Sequence, residues 1–203
     1  MNDNQQKVQI VVADPSALGL FGLAMVTLVA SSQKLGFTTG LSFVIPWAIL
    51  LGSVAQMMAS VYDFKHNNLF GAVVFGAYGL FWTGVAASWL IKMGAFGPVL
   101  AAAVDVKQLG IAFLGYFIFS IFATIAATET NKTLFITMVF IDVLLGCLAL
   151  DSLGLGGNWA HGVAAWTELI IAIMSLYGAG ANFLNKFFGR QFLPLGKPLG
   201  IFR

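Results

Sequence analysis

The chain has 203 residues, 59% of them hydrophobic and 9% charged, with a mean hydropathy of +0.91. A soluble domain carries about 25% charged residues, and 10 basic with 8 acidic side chains cannot coat a water-soluble globule of this size. The composition excludes a soluble enzyme, a nucleic-acid binder and a disordered tail, and it describes an integral membrane protein.

At about 20 apolar residues per helical span, this length admits six or seven helices and leaves no room for a separate soluble domain. Residues 1–14 contain no apolar core of signal-peptide length and read as a retained N-terminal segment. Apolar stretches bounded by polar or turn residues fall at 16–33, 41–62, 69–91, 108–128, 132–153 and 162–187. They are too long, and alternate too little, for barrel strands. The expected fold is all-α with six transmembrane helices: a terminal segment at 1–14, a membrane domain at 15–187 and a tail at 188–203. Asp14-Pro15-Ser16 opens the first helix with an acceptor side chain and a proline whose missing N–H costs nothing there. Pro46 falls one turn into the second span, where a kink would be modest. The turn at 63–68 has a solvated composition, and Asn68 is placed to cap the third helix.

The basic residues set the orientation. With the N-terminus inside, the inner face receives Lys7, Lys65, Lys132, Lys186, Arg190, Lys197 and Arg203, and the outer face only Lys34, Lys92 and Lys107. Both termini are therefore expected in the cytoplasm, with the protein in the cell membrane. The odd helices begin alike, with Leu18-Gly19-Leu20-Phe21-Gly22, Leu69-Phe70-Gly71-Ala72 and Leu134-Phe135-Ile136-Thr137. Three hairpins around one axis is the architecture this suggests.

Ionisable groups inside a span are costly and either mark a pathway or sit neutral and hydrogen-bonded between helices. Asp142 lies ten residues into the fifth span, near mid-depth. Glu168 lies about two turns into the sixth from the outer side, and no lysine or arginine is placed at a matching depth for either. Gln56 needs a partner within the bundle, and the Tyr78 hydroxyl must bond across helices or line a pore. Trp82, Trp89, Trp159 and Trp166 read as interface anchors. Cys147 stands alone, and His66 and His161 lie at opposite ends of the bundle. No metal set, cofactor motif or nucleophile–base pair emerges, so no enzyme, catalytic residue or cofactor is expected.

Four ordered blocks resemble the acetate uptake transporters, a family that includes the succinate–acetate permeases. Asp14-Pro15-Ser16-Ala17-Leu18-Gly19-Leu20 resembles the family's Asn-Pro-Ala-Pro-Leu-Gly-Leu signature. Ala55-Gln56, then Asn68-Leu69-Phe70-Gly71 and Ala77-Tyr78-Gly79-Leu80-Phe81-Trp82, follow its spacing through spans two and three. Phe188-Gly189-Arg190 and Leu193-Pro194-Leu195-Gly196 resemble its C-terminal segment. The resemblance implies a six-helix protomer in a homohexamer, each with its own pore for acetate and related short carboxylates, succinate in some members. It maps the pore's apolar constriction onto Leu23, Tyr78 and Ile141, and aligns Trp166, Ser175 and Tyr177 with a stretch that tunes selectivity. Asp14, Gln56, Asn68 and Trp82 fall on the substrate path it implies. The signature asparagine is Asp14 here and its second proline is Ala17, so an ionised carboxylate would meet anions at the inner mouth. An apolar ring would accept the acetate methyl, while the Tyr78 hydroxyl and helix-end amides would solvate its carboxylate in steps. Proton coupling, if present, would fall to Asp142 and Glu168. The alternatives are a neutral-solute channel of the urea or amide type and a membrane signalling or assembly protein that transports nothing.

Overall fold

The computed structural model describes residues 12–202. In a hydrocarbon solvent every backbone N–H and C=O must be satisfied within its own segment, and long apolar runs answer by becoming helices. Six helices are long and apolar enough to cross a membrane: α1 (Ser16–Lys34), α2 (Val44–Lys65), α3 (Leu69–Lys92), α5 (Val106–Ala127), α6 (Lys132–Ser152) and α7 (Gly157–Phe187). A short helix, α4 (Pro98–Ala102), sits in the connection between α3 and α5. Among the described residues there is no strand. An even number of spans leaves both ends of the bundle on one face, here termed the terminal face, with the distal face opposite.

The helices form a closed ring in the order α1, α2, α3, α5, α6, α7, and α7 returns to pack most extensively on α1. The seam between α3 and α5 is the loosest in the ring. Two hydrogen bonds tie it: Tyr78 Oη donates to Ser120 Oγ at 2.8 Å, and Tyr116 Oη to the Ala77 carbonyl at 3.1 Å. This chain order around the ring accommodates three hairpins about a common axis. Where backbones approach closely, small residues permit it: a Cβ on Gly22 of α1 would collide with the Leu51 carbonyl of α2.

Local sequence rules account for most helix ends. Asn68 accepts from the Gly71 N–H at 3.3 Å and Asn131 from the Leu134 N–H at 2.9 Å, capping α3 and α6. Asp14 Oδ1 accepts the Ser16 N–H at 2.9 Å at the start of α1. Pro46 lies in the first turn of α2, and the helix beyond it, Ala48–Ala55, is π-helical before Gln56–Lys65 resumes as α.

The structure corrects three expectations. The turn after α2 is not wholly solvated: Asp63 is 0% exposed, its Oδ1 accepting from Asn68 Nδ2 at 3.0 Å. Its other oxygen occupies the space that a Cβ at Gly71 would need, so that glycine admits the carboxylate. Trp82 is not an interface anchor but is buried, edge-on to Phe81 with centroids 5.4 Å apart. The sixth span begins at Gly157, earlier than its apolar composition suggests, so Glu168 lies 11 residues from its distal end.

The segment after α7 folds back across the terminal face. Asn185 brackets Phe192 and Leu193, accepting both N–H groups and donating to the Leu193 carbonyl. The Pro194 carbonyl accepts from Tyr177 at 2.7 Å, and the Leu195 carbonyl from the Thr133 N–H and hydroxyl at 3.0 Å each. Glu129 Oε1 then accepts the Ile201 and Phe202 N–H groups at 2.8 and 3.0 Å.

Candidate functional site

Two cavities lie end to end along the ring's interior. The terminal-side cavity, of about 300 Å³, is lined by α1, α3 and α6 with Gln56 of α2, Met174, Gly178 and Asn182 of α7 and Leu195 of the tail. The distal cavity, of about 140 Å³, is lined by the same three helices together with Leu109, Phe113, Glu168 and Ile171. Leu23, Tyr78 and Ile141 line both. Each is buried and lies seven to nine residues above the terminal end of its helix, about 10–14 Å at 1.5 Å per residue. These three side chains, one from each of α1, α3 and α6, are common to the walls of both spaces.

Helical spacing explains why those helices line both cavities. Phe70, Val74 and Tyr78 recur at four-residue steps on one face of α3, and Trp82, Val85 and Trp89 continue the stripe into the distal cavity. Thr133, Thr137 and Ile141 form the matching stripe on α6. Sequence reading missed Thr133, Thr137 and Asn182, because a threonine or asparagine in an apolar helix looks like interhelical glue. The four-residue register of the two threonines with Ile141 was the available signal.

The polar groups divide by cavity. Gln56, Asn68, Asn182 and Ser16 face the terminal-side space. Gln56 Nε2 donates to the Gly52 carbonyl at 2.7 Å and Asn182 Nδ2 to the Gly178 carbonyl at 2.8 Å. An amide nitrogen carries two protons, so each has a second to offer. Of the two alternatives for Tyr78, the hydroxyl takes the bond across helices, while the residue still lines both cavities. Its hydroxyl proton goes to Ser120, so it gives the path its ring. Asp142 lines neither cavity. It lies behind Tyr78, beside the Ser120 and Thr124 hydroxyls, with Oδ1 buried and unpartnered among the described residues.

Glu168 is paired, correcting the expectation that no cation reaches it. Lys34 Nζ lies 2.7 Å from Glu168 Oε2, with the lysine side chain 15% exposed and the glutamate 1%. Counted from the terminal ends of their helices, Lys34 and Glu168 stand at nearly equal heights, about 27 and 28 Å. Both line the distal cavity. Trp82 lines it as well, whereas Trp166 and Tyr177 line neither cavity. Trp166 is 57% exposed on the outside of the bundle, and Tyr177 reaches the tail. Ser175 is buried in α7 with its hydroxyl unpartnered among the described residues.

Asp14 stands at the terminal mouth, beside the cavity-lining Ser16 and 3.5 Å from Lys186 Nζ. Burial pushes its carboxyl up, but the Ser16 hydrogen bonds and the Lys186 charge outweigh that and hold it below the ordinary value. A depressed folded value means stability that is present above the unfolded value, about 3.9, and lost as pH falls through the folded one. Asp14→Asn is therefore expected to melt below the wild type at pH 7, and the gap should close on acidification below about pH 4. Thermal unfolding in detergent across pH 3–7 checks this; a gap independent of pH would show that the ionised carboxylate contributes nothing.

Known proteins resemble this arrangement over nearly its whole length. The chain matches the GPR1/FUN34/yaaH family over residues 2–195. The succinate-acetate/proton symporter SatP of Escherichia coli strain K12 is 29% identical over 188 residues, covering 92% of this chain and 96% of that protein. Acetate permease A of Emericella nidulans is 28% identical over 193 residues, covering 87% of this chain and 64% of that protein. A solved structure of the bacterial acetate channel SatP superposes with a TM-score of 0.84 at 27% identity, covering 92% of this chain and all of that one.

Proposed function

The chain belongs to the GPR1/FUN34/yaaH family, and on that premise we propose that it carries acetate and related short carboxylates, succinate among them, across the membrane. The path runs through each protomer, from the terminal-side cavity past Leu23, Tyr78 and Ile141 into the distal one. The observation that carries this reading is that the two cavities share those three residues. It is supported by relatives named as a succinate-acetate symporter, an acetate permease and an acetate channel.

The chemistry of the lining suits a small amphiphilic anion. Leu23, Ile141 and the Tyr78 ring accept a methyl group. The free amide protons of Gln56 and Asn182 and the Ser16 hydroxyl receive the carboxylate on the terminal side, and Lys34 receives it on the distal side. Asp14 adds a negative charge at the mouth, which Lys186 offsets in part. Asp142 and Glu168 are the candidates for proton coupling. Glu168 is the stronger candidate because it lines the distal cavity, whereas Asp142 lines neither and would act only through its neighbour Ser120, which accepts from Tyr78. The lysine and arginine asymmetry supports a cytoplasmic terminal face, and on this reading the protein works in the cell membrane. The homohexamer that the family resemblance implies belongs to this reading, with the large apolar side chains exposed around the bundle facing either neighbouring protomers or lipid.

Tracer acetate uptake into proteoliposomes, corrected for protein-free leak, tests the substrate class. Unlabelled succinate is expected to compete and urea is not. Competition by urea, or uptake no faster than the leak, would replace this reading with the neutral-solute channel or with no transport.

A further inference from the structure

The Lys34–Glu168 pair sits in the distal cavity with no obvious need to be there. A buried ion pair is weak evidence of stabilisation, because desolvating two charges offsets most of their attraction. At this depth an apolar contact between α1 and α7 would hold the helices as well. The pair is also unlike the other acid–base contacts among the described residues. Lys186–Asp14 and His161–Asp151 are longer, at 3.5 and 3.4 Å, and lie at the rims in more exposed positions. Lys34 and Glu168, by contrast, face the space a solute must cross.

We infer that Lys34 is a binding site for the substrate carboxylate, held in reserve by Glu168, and that the two exchange partners as the solute and a proton arrive together. This deepens the proposed transport of carboxylates and rests on it. An ammonium has three donors, and one carboxylate oxygen at 2.7 Å engages one of them. Glu168 offers Lys34 the same functional group that acetate carries, so the side chain is an internal stand-in for the substrate. The cavity, about 140 Å³, has the space of four to five waters at about 30 Å³ each, enough for an anion of four heavy atoms.

Charge balance then dictates the stoichiometry. An anion added to the closed pair would leave one uncompensated negative charge in a space walled by Trp82, Leu145 and Ile171. If Lys34 instead transfers to the incoming carboxylate, Glu168 loses its counter-ion and takes up a proton from the distal solution. The exchange balances: Lys34 ammonium with Glu168 carboxylate, plus substrate carboxylate and one proton, gives Lys34 ammonium with substrate carboxylate, plus Glu168 carboxylic acid. The site is electrically neutral before and after, and one proton has entered with each anion.

The groups able to disturb this are few. From α1 Lys34 is the charged group acting on Glu168. From α6 the cavity-lining residues are apolar, and Asp151 lies at the rim bonded to His161 of α7. From α3 the only titratable lining group is Tyr78 at the cavity floor, its hydroxyl committed to Ser120.

The test reads current against tracer flux in the purified full-length protein. With a tenfold acetate gradient across a planar bilayer, the wild type is expected to pass no net acetate current while proteoliposomes show protein-dependent tracer uptake. Glu168→Gln, which cannot take the proton, is expected to pass acetate as an anion, with a current reversing near the potential set by that gradient, about 59 mV. The double variant Lys34→Met/Glu168→Gln is expected to raise the half-saturating acetate concentration at least tenfold. Wild-type current reversing at the acetate potential, or a double variant with unchanged half-saturation, would overturn the exchange while leaving acetate transport intact. Absence of wild-type tracer uptake would instead overturn the transport reading itself. A wild-type current reversing at the acetate potential overturns the exchange even if a variant fails to fold.

Discussion

Leu23→Trp is expected to reduce protein-dependent acetate flux at least tenfold without unfolding the protein. Leu23 is buried between two cavities, and its neighbours at that level are Tyr78 and Ile141. Overpacking a core usually costs about 1–3 kcal/mol because the surroundings cannot give way. Here the added indole has cavity on either side to enter, of about 300 and 140 Å³, so the substitution obstructs the path more than it strains the fold. Leu23→Met conserves volume and is expected to keep flux within about twofold, since such swaps are well tolerated. Tracer uptake with gel filtration of the same preparations checks both variants. Flux through Leu23→Trp equal to the wild type would place the path elsewhere.

The second large effect is on stability. Lys34→Met leaves Glu168, 1% exposed, without its partner. Breaking a buried pair from one side typically costs about 3–5 kcal/mol, whereas replacing both members with neutral groups is often nearly free. Lys34 keeps some contact with water, so a loss of about 3 kcal/mol is expected. Adding Glu168→Gln in the same chain should restore most of it. Denaturant unfolding in detergent of the wild type, the single variant and the double variant forms the comparison. A double variant as unstable as the single one would mean that Lys34 acts through packing of its alkyl stem and not through its charge.

These effects turn on features that sequence displays unevenly. The six spans are legible because the bilayer imposes one requirement, about 20 apolar residues with internal hydrogen bonds, and 59% hydrophobic content meets it visibly. The Asn68 cap is legible because its partner lies three residues away. The Glu168 pairing is not, since it depends on how far α7 runs past the distal end of α1. α7 has 31 residues, about 46 Å, and so outruns a hydrocarbon core of about 30 Å. Its first turns, with Asn158 and His161, carry too little apolar signal to be counted into the span. Depth counted from the distal end of α7 sets Glu168 well below Lys34, whereas heights counted from the terminal ends set the two level.

Other misses have the same physical origin, a contact between residues distant in the chain. Asp63 reads as a loop residue until Gly71 and Asn68 are seen to make room for it and donate to it. The family resemblance aligns Tyr177 with a stretch that tunes selectivity, yet its hydroxyl is spent on the Pro194 carbonyl of the returning tail. Tyr78 reads as a donor to the path, but Ser120 on a different helix takes its proton. Leu23, Tyr78 and Ile141 could be grouped beforehand only through the family resemblance. In this chain alone they are three apolar or aromatic residues among many.

The central claim is that solute passes between two cavities divided at Leu23, Tyr78 and Ile141. Side-specific thiol labelling tests it most directly. On a Cys147→Ser background, Thr137→Cys lies in the terminal-side cavity and Val85→Cys in the distal one. A small membrane-impermeant thiol reagent is expected to modify the first only from the terminal face and the second only from the distal face, each modification blocking acetate flux. Labelling of both from one face, or full flux after complete modification, would contradict the account.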